Sequence, residues 1–220
     1  MGKIKACIFD LDGVIVDTAT FHYKAWKRLA NELGFDLTPE QNEQLKGVSR
    51  VKSLDILLEI KQIKATEEEK NQLADKKNSW YREYIKAMNP EDILPGSIEF
   101  FEELKKAGIK IGVGSASKNA RTILQQIKIE KYLDSIIDGN KVTNAKPNPE
   151  VFLQGAKEME ETPESCVVFE DAKAGIEAAK NGGMLSVGVG SEKNLGEADM
   201  VIAGLHEINL KKLLELENKA

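Results

Sequence analysis

Apolar residues fall along this chain in two rhythms. Short β-branched or apolar runs, each closed by turn residues, recur at "IKACIFD", "IKIGVGS", "DSIID", "SCVVFED", "LSVGVG" and "DMVIAG". That is the pattern of strands buried on both faces of a parallel sheet. Between them the apolar positions change to helical spacing in "SIEFFEELKKAG", "NARTILQQIKI", "NPEVFLQGAKEM", "AGIEAAKNGG" and "HEINLKKLLELEN", several of them ended by Gly. Strand alternating with helix predicts an α/β fold, a doubly wound, Rossmann-like parallel sheet.

One stretch breaks the alternation. Residues 18–89 carry helix signals only: "FHYKAWKRLANELG" sets Phe21, Ala25, Leu29 and Leu33 near one face and stops at Gly34. "TPEQ" and "TEEE" each supply an N-cap with Gln or Glu three residues on. The predicted organisation is an α/β core of residues 1–17 and 90–220 and a separate α-helical cap domain, residues 18–89, inserted after the first strand.

Composition narrows the function classes. A chain of 220 residues with 41% apolar content can bury a real core. Its net charge of −5, with Lys and Arg scattered, offers nothing to nucleic acid or an anionic membrane. No apolar run approaches the roughly 18 to 20 residues of a membrane span, and "MGKIKACIFD" lacks the h-region and cleavage site of a signal peptide. A cytoplasmic protein is expected. Cys7 and Cys166 stand in apolar runs without CxxC spacing and read as buried free thiols.

Charge inside the first apolar run is the candidate chemistry. In "IFDLDGVIVDT", Asp10 and Asp12 are two apart in extended chain, so they project together from the C-terminal end of the first strand, where doubly wound sheets carry their sites. Gly13 then lets the backbone turn sharply. Adjacent carboxylates repel and need a cation to hold them, unless the stretch is a solvated turn. Glu170 and Asp171 follow "SCVVF" in the same relation to their strand. Oxygen-only ligands from two strand ends suit Mg²⁺, although "FEDA" also fits an acidic helix start. "IKIGVGSAS" runs into Ser115, Ala116 and Ser117, whose hydroxyls and N–H groups at a helix start can hold an anion, Ser being equally a routine N-cap. Lys146, extended before a proline, gives a phosphate a point charge or is simply solvated.

In this order the motifs resemble the haloacid dehalogenase superfamily of phosphotransferases, whose DxDGVxxDT opening is matched without a gap by "DLDGVIVDT". The resemblance implies Asp10 as the nucleophile that forms an aspartyl phosphate and Asp12 as general acid and base. It implies one Mg²⁺ held by Asp10, the backbone carbonyl of Asp12, Glu170 and Asp171, with Ser115, Ala116 and Lys146 around the transferring phosphate. The cap stretches "EQLKGVSRVKSL", "FHYKAW" and "LADKKN", with "GSASKN" of the core, are similar to the β-phosphoglucomutase branch. That branch interconverts β-D-glucose 1-phosphate and glucose 6-phosphate, with glucose 1,6-bisphosphate as intermediate and activator. The implied enzyme is a monomer whose partners are small sugar phosphates.

The same resemblance assigns substrate contacts. Arg50, with Ser117 and Asn119, would bind the phosphate that is not transferred, while Thr18 sits at the hinge and His22 reaches toward Asp12. Lys77 would lie over the site, and Trp26, Gly47, Val48 and Ser53 would complete the sugar pocket. On the residues alone, Ser49-Arg50 reads equally as an N-cap and a solvated base, His22 as an interface histidine and Lys77 as surface charge. A Mg²⁺-dependent sugar-phosphate phosphatase of the same superfamily shares every core motif and is the rival reading. The stretch "LKGVSR" favours the mutase.

Overall fold

Each of the predicted apolar runs is a strand in a computed structural model that describes residues 4–218: β1 (Ala6–Phe9), β2 (Lys110–Gly114), β3 (Ser135–Ile137), β4 (Cys166–Glu170), β5 (Leu185–Val189) and β6 (Met200–Ile202). They pair in parallel in the order β3-β2-β1-β4-β5-β6. The strand order reverses beside β1, which opens a crevice at the C-terminal ends of β1, β2 and β4, the position where such sheets bind ligands.

Between β1 and β2 run α1 (Ala19–Glu32), α2 (Pro39–Asn42), α3 (Arg50–Ile60), α4 (Glu67–Ile85) and α5 (Ser97–Lys106). The later connections carry α6 (Ala120–Gln126), α7 (Glu150–Glu158), α8 (Lys173–Asn181) and α9 (Glu192–Leu195), and α10 (Leu210–Leu214) follows β6.

Alternation along the central strands sorts their side chains between two cores. Cys7, Phe9, Val167 and Phe169 face one side, where the Phe9 and Phe169 rings stack at 4.6 Å with Phe100 and Phe101 edge-on. Ala6, Ile8, Cys166 and Val168 face the other, against Val151, Phe152 and Ala156 of α7 and Ala178 of α8. Each Val, Ile or Phe side chain so removed from water stabilises the fold by about 1.5–3 kcal/mol. The same alternation puts the Cys7 and Cys166 thiols on opposite faces, and both are free and buried.

Helices α1 to α4 build an apolar cluster of their own from Trp26, Leu29, Leu37, Leu54, Leu57, Leu58 and Ala74. Thr38 with Gln41, and Thr66 with Glu69, close reciprocal capping boxes at α2 and α4. The stripe expected on α1 is rotated: Ala25, Trp26, Leu29 and Ala30 are buried, while Phe21 and Leu33 are half-buried. The cause is that α1 faces two bodies. Trp26 and Leu29 turn into the helical cluster, whereas Ala25 joins Tyr81, Ile85 and Met88 against the sheet. Helix α4 is divided in the same way, with Ala74 in one cluster and Tyr81 in the other.

Some helices are shorter than their apolar patterns. "NARTILQQIKI" stops as α6 at Gln126, because Lys128 takes φ +59° and reverses the chain. In "HEINLKKLLELEN" the Asn209 side chain accepts from Lys212 N, so a new helix starts at Leu210 and the residues before it form a separate 3-10 turn. An Asn that bonds its own neighbouring backbone favours a cap over a helix interior. Residues 1–3 and 219–220 of the expected core lie outside the described residues.

Candidate active site

The acidic pairs meet because β1 and β4 are neighbours in register, with Phe9 opposite Phe169. Asp10 N donates to Phe169 O at 2.9 Å and Asp12 N donates to Asp10 Oδ2 at 3.0 Å, which fixes the loop beyond β1. Gly13 holds φ +86°, and a Cβ there would stand 2.5 Å from Asp171 Oδ2. Only glycine lets the first acidic loop come so near the second. Asp10, Glu170 and Asp171 consequently offer carboxylate oxygens within 4.8 Å of one another.

Glu170 is fully buried and lies directly over Gly175 of α8, where a Cβ would be 1.9 Å from Oε2. Gly175→Ala must therefore displace the carboxylate. The expected cost is about 1–3 kcal/mol of stability, as for other overpacked core sites, together with weaker binding of any divalent cation that the acidic cluster takes up. Thermal melts with and without Mg²⁺ would show both, and an unchanged melt that still responds to Mg²⁺ would contradict the close packing.

Two ammonium groups answer these carboxylates. Lys146 Nζ is buried 2.6 Å from Asp10 Oδ1, 2.8 Å from Glu170 Oε2 and 3.0 Å from Gly114 O. Burial pulls Lys146 down, but Asp10 and Glu170 outweigh it and hold the ammonium above its ordinary range. Lys46, in the loop between α2 and α3, reaches across to Asp171 Oδ2 at 3.3 Å. These cations do not neutralise the cluster. Burial pushes Glu170 up to about 8, with Lys146 opposing and Asp10 and Asp171 adding. It pushes Asp171 up to about 7, against the pull of Lys46.

The turn after β2 supplies anion donors without a helix end. Ser117 N donates to Ser115 Oγ at 3.0 Å and Asn119 N donates to Ser117 Oγ at 3.2 Å, while α6 begins only at Ala120. The N–H groups of Ala116 and Lys118 keep no partner among the described residues, and both residues line the cavity. Of the N–H groups expected to face an anion, that of Ala116 is free among the described residues and that of Ser117 is taken by the Ser115 hydroxyl, while Lys118 adds one that was not expected.

A cavity of about 410 Å³ joins this floor to the helices above it. Asp10, Asp12, Ala116, Ser117, Asn119 and Lys146 line it from below, and His22, Trp26, Gly47, Val48, Arg50, Ser53 and Lys77 from above. Ser115, Thr18 and Glu170 are buried behind its wall. Ser53 is buried with its hydroxyl 3.1 Å from both the Leu45 and Ser49 carbonyls, so it braces the loop that carries Arg50. Arg50 is half-buried, 3.5 Å from Asp75.

Asp12 is bonded to the helical side. The Thr18 hydroxyl donates to its Oδ1, His22 Nε2 is 3.6 Å from the same oxygen, and Lys77 Nζ is 2.9 Å from His22 Nδ1. Lys77 lies over the Trp26 ring at 4.4 Å. Burial and the Arg50 charge bring Lys77 down to about 7, and burial with the Lys77 and Arg50 charges keeps His22 well below its ordinary value, hence neutral. Burial and Asp10 raise Asp12 to about 6, against the Thr18 hydrogen bond and the Lys146 and Lys77 charges.

Several residues of the site escape the sequence reading. Lys46 and Lys118 sit unremarked inside "EQLKGVSR" and "GSASKN". Asn78 accepts from Asn119 Nδ2 at 3.2 Å and so bridges α4 to the turn after β2. Tyr81, whose phenol donates to Asp12 Oδ1 at 3.4 Å, is one helical turn beyond Lys77. That i, i+4 spacing was the available signal.

A family description for haloacid dehalogenase-like hydrolases matches residues 7–189, which takes in both acidic pairs. The chain belongs to the haloacid dehalogenase-like hydrolase family. Among its relatives in that family is the β-phosphoglucomutase of Bacillus subtilis, 40% identical over 214 residues that cover 96% of this chain and 95% of that protein. A phosphorylated carbohydrates phosphatase of Thermotoga maritima is 33% identical and covers 89% of each chain. The crystal structure of a β-phosphoglucomutase from Clostridium difficile superposes with a TM-score of 0.92 at 44% identity, covering 98% of both chains.

Proposed function

We propose that this chain is a phosphomutase that interconverts β-D-glucose 1-phosphate and glucose 6-phosphate through an aspartyl phosphate and a glucose 1,6-bisphosphate intermediate. One observation carries the reading: the cavity lined by Asp10 and Asp12 is also lined by Arg50, Ser117 and Asn119, side chains that can donate to a second anion. A phosphatase needs one phosphate site. A mutase must hold a bisphosphate and turn it end for end, so it needs two. The relatives named β-phosphoglucomutase support this choice, and the Thermotoga phosphatase keeps sugar-phosphate hydrolysis as the alternative.

Asp10 attacks phosphorus in line, and the bond from phosphorus to the sugar oxygen breaks as the aspartyl phosphate forms. Asp12 gives its proton to the departing oxygen. In the return half it takes the proton of the attacking hydroxyl while the bond from Asp10 to phosphorus breaks. Lys146, fixed on Asp10, and the free N–H groups of the Ala116 turn meet the equatorial oxygens.

The buried oxygen donors of Asp10, Glu170 and Asp171, three carboxylates set against the two ammonium groups of Lys146 and Lys46, fit a hard divalent cation. With the Asp12 carbonyl they would hold Mg²⁺, which supplies charge neutralisation between an anionic nucleophile and an anionic phosphate.

Water would turn this chemistry into hydrolysis, and the helical side opposes it. Gly47 lies so near Ala172 that a Cβ would approach its side chain to 2.8 Å, and Asn78 meets Asn119 across the cleft. Every group invoked comes from one copy of the chain, which fits a monomer acting on small sugar phosphates. Its two free buried thiols suit the cytoplasm.

Arg50→Ala tests the second site. It leaves the floor intact and removes a charge-assisted contact of about 1.5–3 kcal/mol, so flux to glucose 6-phosphate in a coupled assay should fall by roughly one to two decades. Phosphorylation by acetyl phosphate, which has no distal anion, should change far less. Equal loss on both would make Arg50 structural. Wild-type hydrolysis of β-glucose 1-phosphate without glucose 6-phosphate would favour the phosphatase.

A further inference from the structure

The two oxygens of the Asp12 carboxylate have different surroundings. On Oδ1 converge the Thr18 hydroxyl, the Tyr81 phenol at 3.4 Å and His22 Nε2 at 3.6 Å. Oδ2 has no hydrogen bond among the described residues, and the side chain, 19% exposed, lines the cavity. A carboxylate held by donors on one oxygen presents the other.

We propose that Tyr81 is a positioning residue for proton transfer: with Thr18 it holds Oδ1 of Asp12 away from the sugar, so that Oδ2 carries the proton. This deepens the mutase reading and rests on the acid–base role given there to Asp12.

Tyr81 is built for a fixed direction. It is fully buried on α4, its ring 3.9 Å from that of His22 with an interplanar angle of 31°, and it packs with Ala25 and Ile85 against the sheet. Its phenol has one hydrogen, and Asp12 is the carboxylate within its reach. The Thr18 hydroxyl, at the start of α1, donates to the same Oδ1, so this oxygen stands where α1, α4 and the loop after β1 meet. Tyr81 comes from α4 whereas Asp12 comes from the loop after β1, so the carboxylate is turned correctly only while α4 is seated.

The step balances. As the bond from Asp10 to phosphorus forms and that to the sugar oxygen breaks, the proton on Oδ2 passes to the sugar oxygen. The charge left on Asp12 is stabilised at Oδ1 by Thr18 and Tyr81. In the return half the sugar hydroxyl gives its proton back to Oδ2.

The test uses the leaving group. A sugar oxygen must be protonated as it departs, whereas acetate leaves without a proton. Tyr81→Phe keeps the ring over His22 and removes only the donor. Aspartyl-phosphate formation is followed in single turnovers by mass spectrometry of quenched enzyme, with glucose 1,6-bisphosphate and with acetyl phosphate. Tyr81→Phe should be about tenfold slower with the bisphosphate at saturating concentration and within about twofold of wild type with acetyl phosphate. Tyr81→Met should give the same split. Equal slowing with both donors, through repacking or unfolding, would overturn the proposal, as would no slowing with either. The mutase reading fails separately, if wild type never yields glucose 6-phosphate, because the phosphoenzyme measurement does not depend on the final acceptor.

Discussion

Asp10→Asn is expected to leave an enzyme that folds, fills its cavity and turns nothing over. The amide matches the carboxylate in shape and can still accept from Asp12 N, the contact that fixes the loop beyond β1. It has no anionic oxygen to attack phosphorus, and it removes one of the three carboxylates that cluster for a cation. It also leaves the Lys146 ammonium, now 2.6 Å from Asp10 Oδ1, with Glu170 as its anionic partner. Loss of at least about four decades in turnover is expected, since in the proposed mechanism every productive event passes through the acyl phosphate. A continuous assay for glucose 6-phosphate, with mass spectrometry showing no 1:1 phosphoryl adduct, would check it. Turnover within about tenfold of wild type would move the nucleophile elsewhere.

The clustering of Asp10 with the second acidic pair was legible because strand-end placement is local. Asp10 and Asp12 are two apart, Glu170 and Asp171 close their own strand, Gly13 takes the positive φ of a turn, and the register of β1 with β4 brings the two strand ends together. The sheet was legible for the same reason, each strand being a short run buried on both faces.

The helical side was less so, because its residues act through tertiary contacts that no spacing encodes. Ser53 lines the cavity as expected and in addition braces the loop that carries Arg50, which no spacing shows. Tyr81 falls on one buried stripe of α4 with Ala74, Lys77 and Ile85, but a stripe does not say which carboxylate its phenol meets. Lys46 finds its carboxylate 125 residues away. Gly175 is a helix glycine whose reason is the Glu170 carboxylate packed upon it, and sequence shows the glycine without the reason.

Removing the carboxylates proposed to hold Mg²⁺ should be nearly as damaging as removing the proposed nucleophile, with a dependence on pH that identifies the cause. Without a cation, burial and mutual repulsion raise Glu170 to about 8 and Asp171 to about 7, above the roughly 4 expected in an unfolded chain. Between those limits the folded state binds more protons than the unfolded one. The metal-free protein therefore loses stability as pH rises through the folded values, and keeps the contribution in full only below about 4. A divalent cation must displace those protons, so its affinity should rise with pH from about 6 to about 8 and level off above. Calorimetric titration with Mg²⁺ should show this rise, and thermal melts should show a Mg²⁺ stabilisation that grows over the same interval. Asp171→Asn should weaken Mg²⁺ binding by at least about tenfold, roughly 1.4 kcal/mol, and flatten the pH dependence, because one of the two raised carboxylates is gone. Turnover by Asp171→Asn should recover only at correspondingly higher Mg²⁺. Full wild-type activity in excess chelator, or Mg²⁺ binding independent of pH across this interval, would show that the buried acidic cluster is not the cation site.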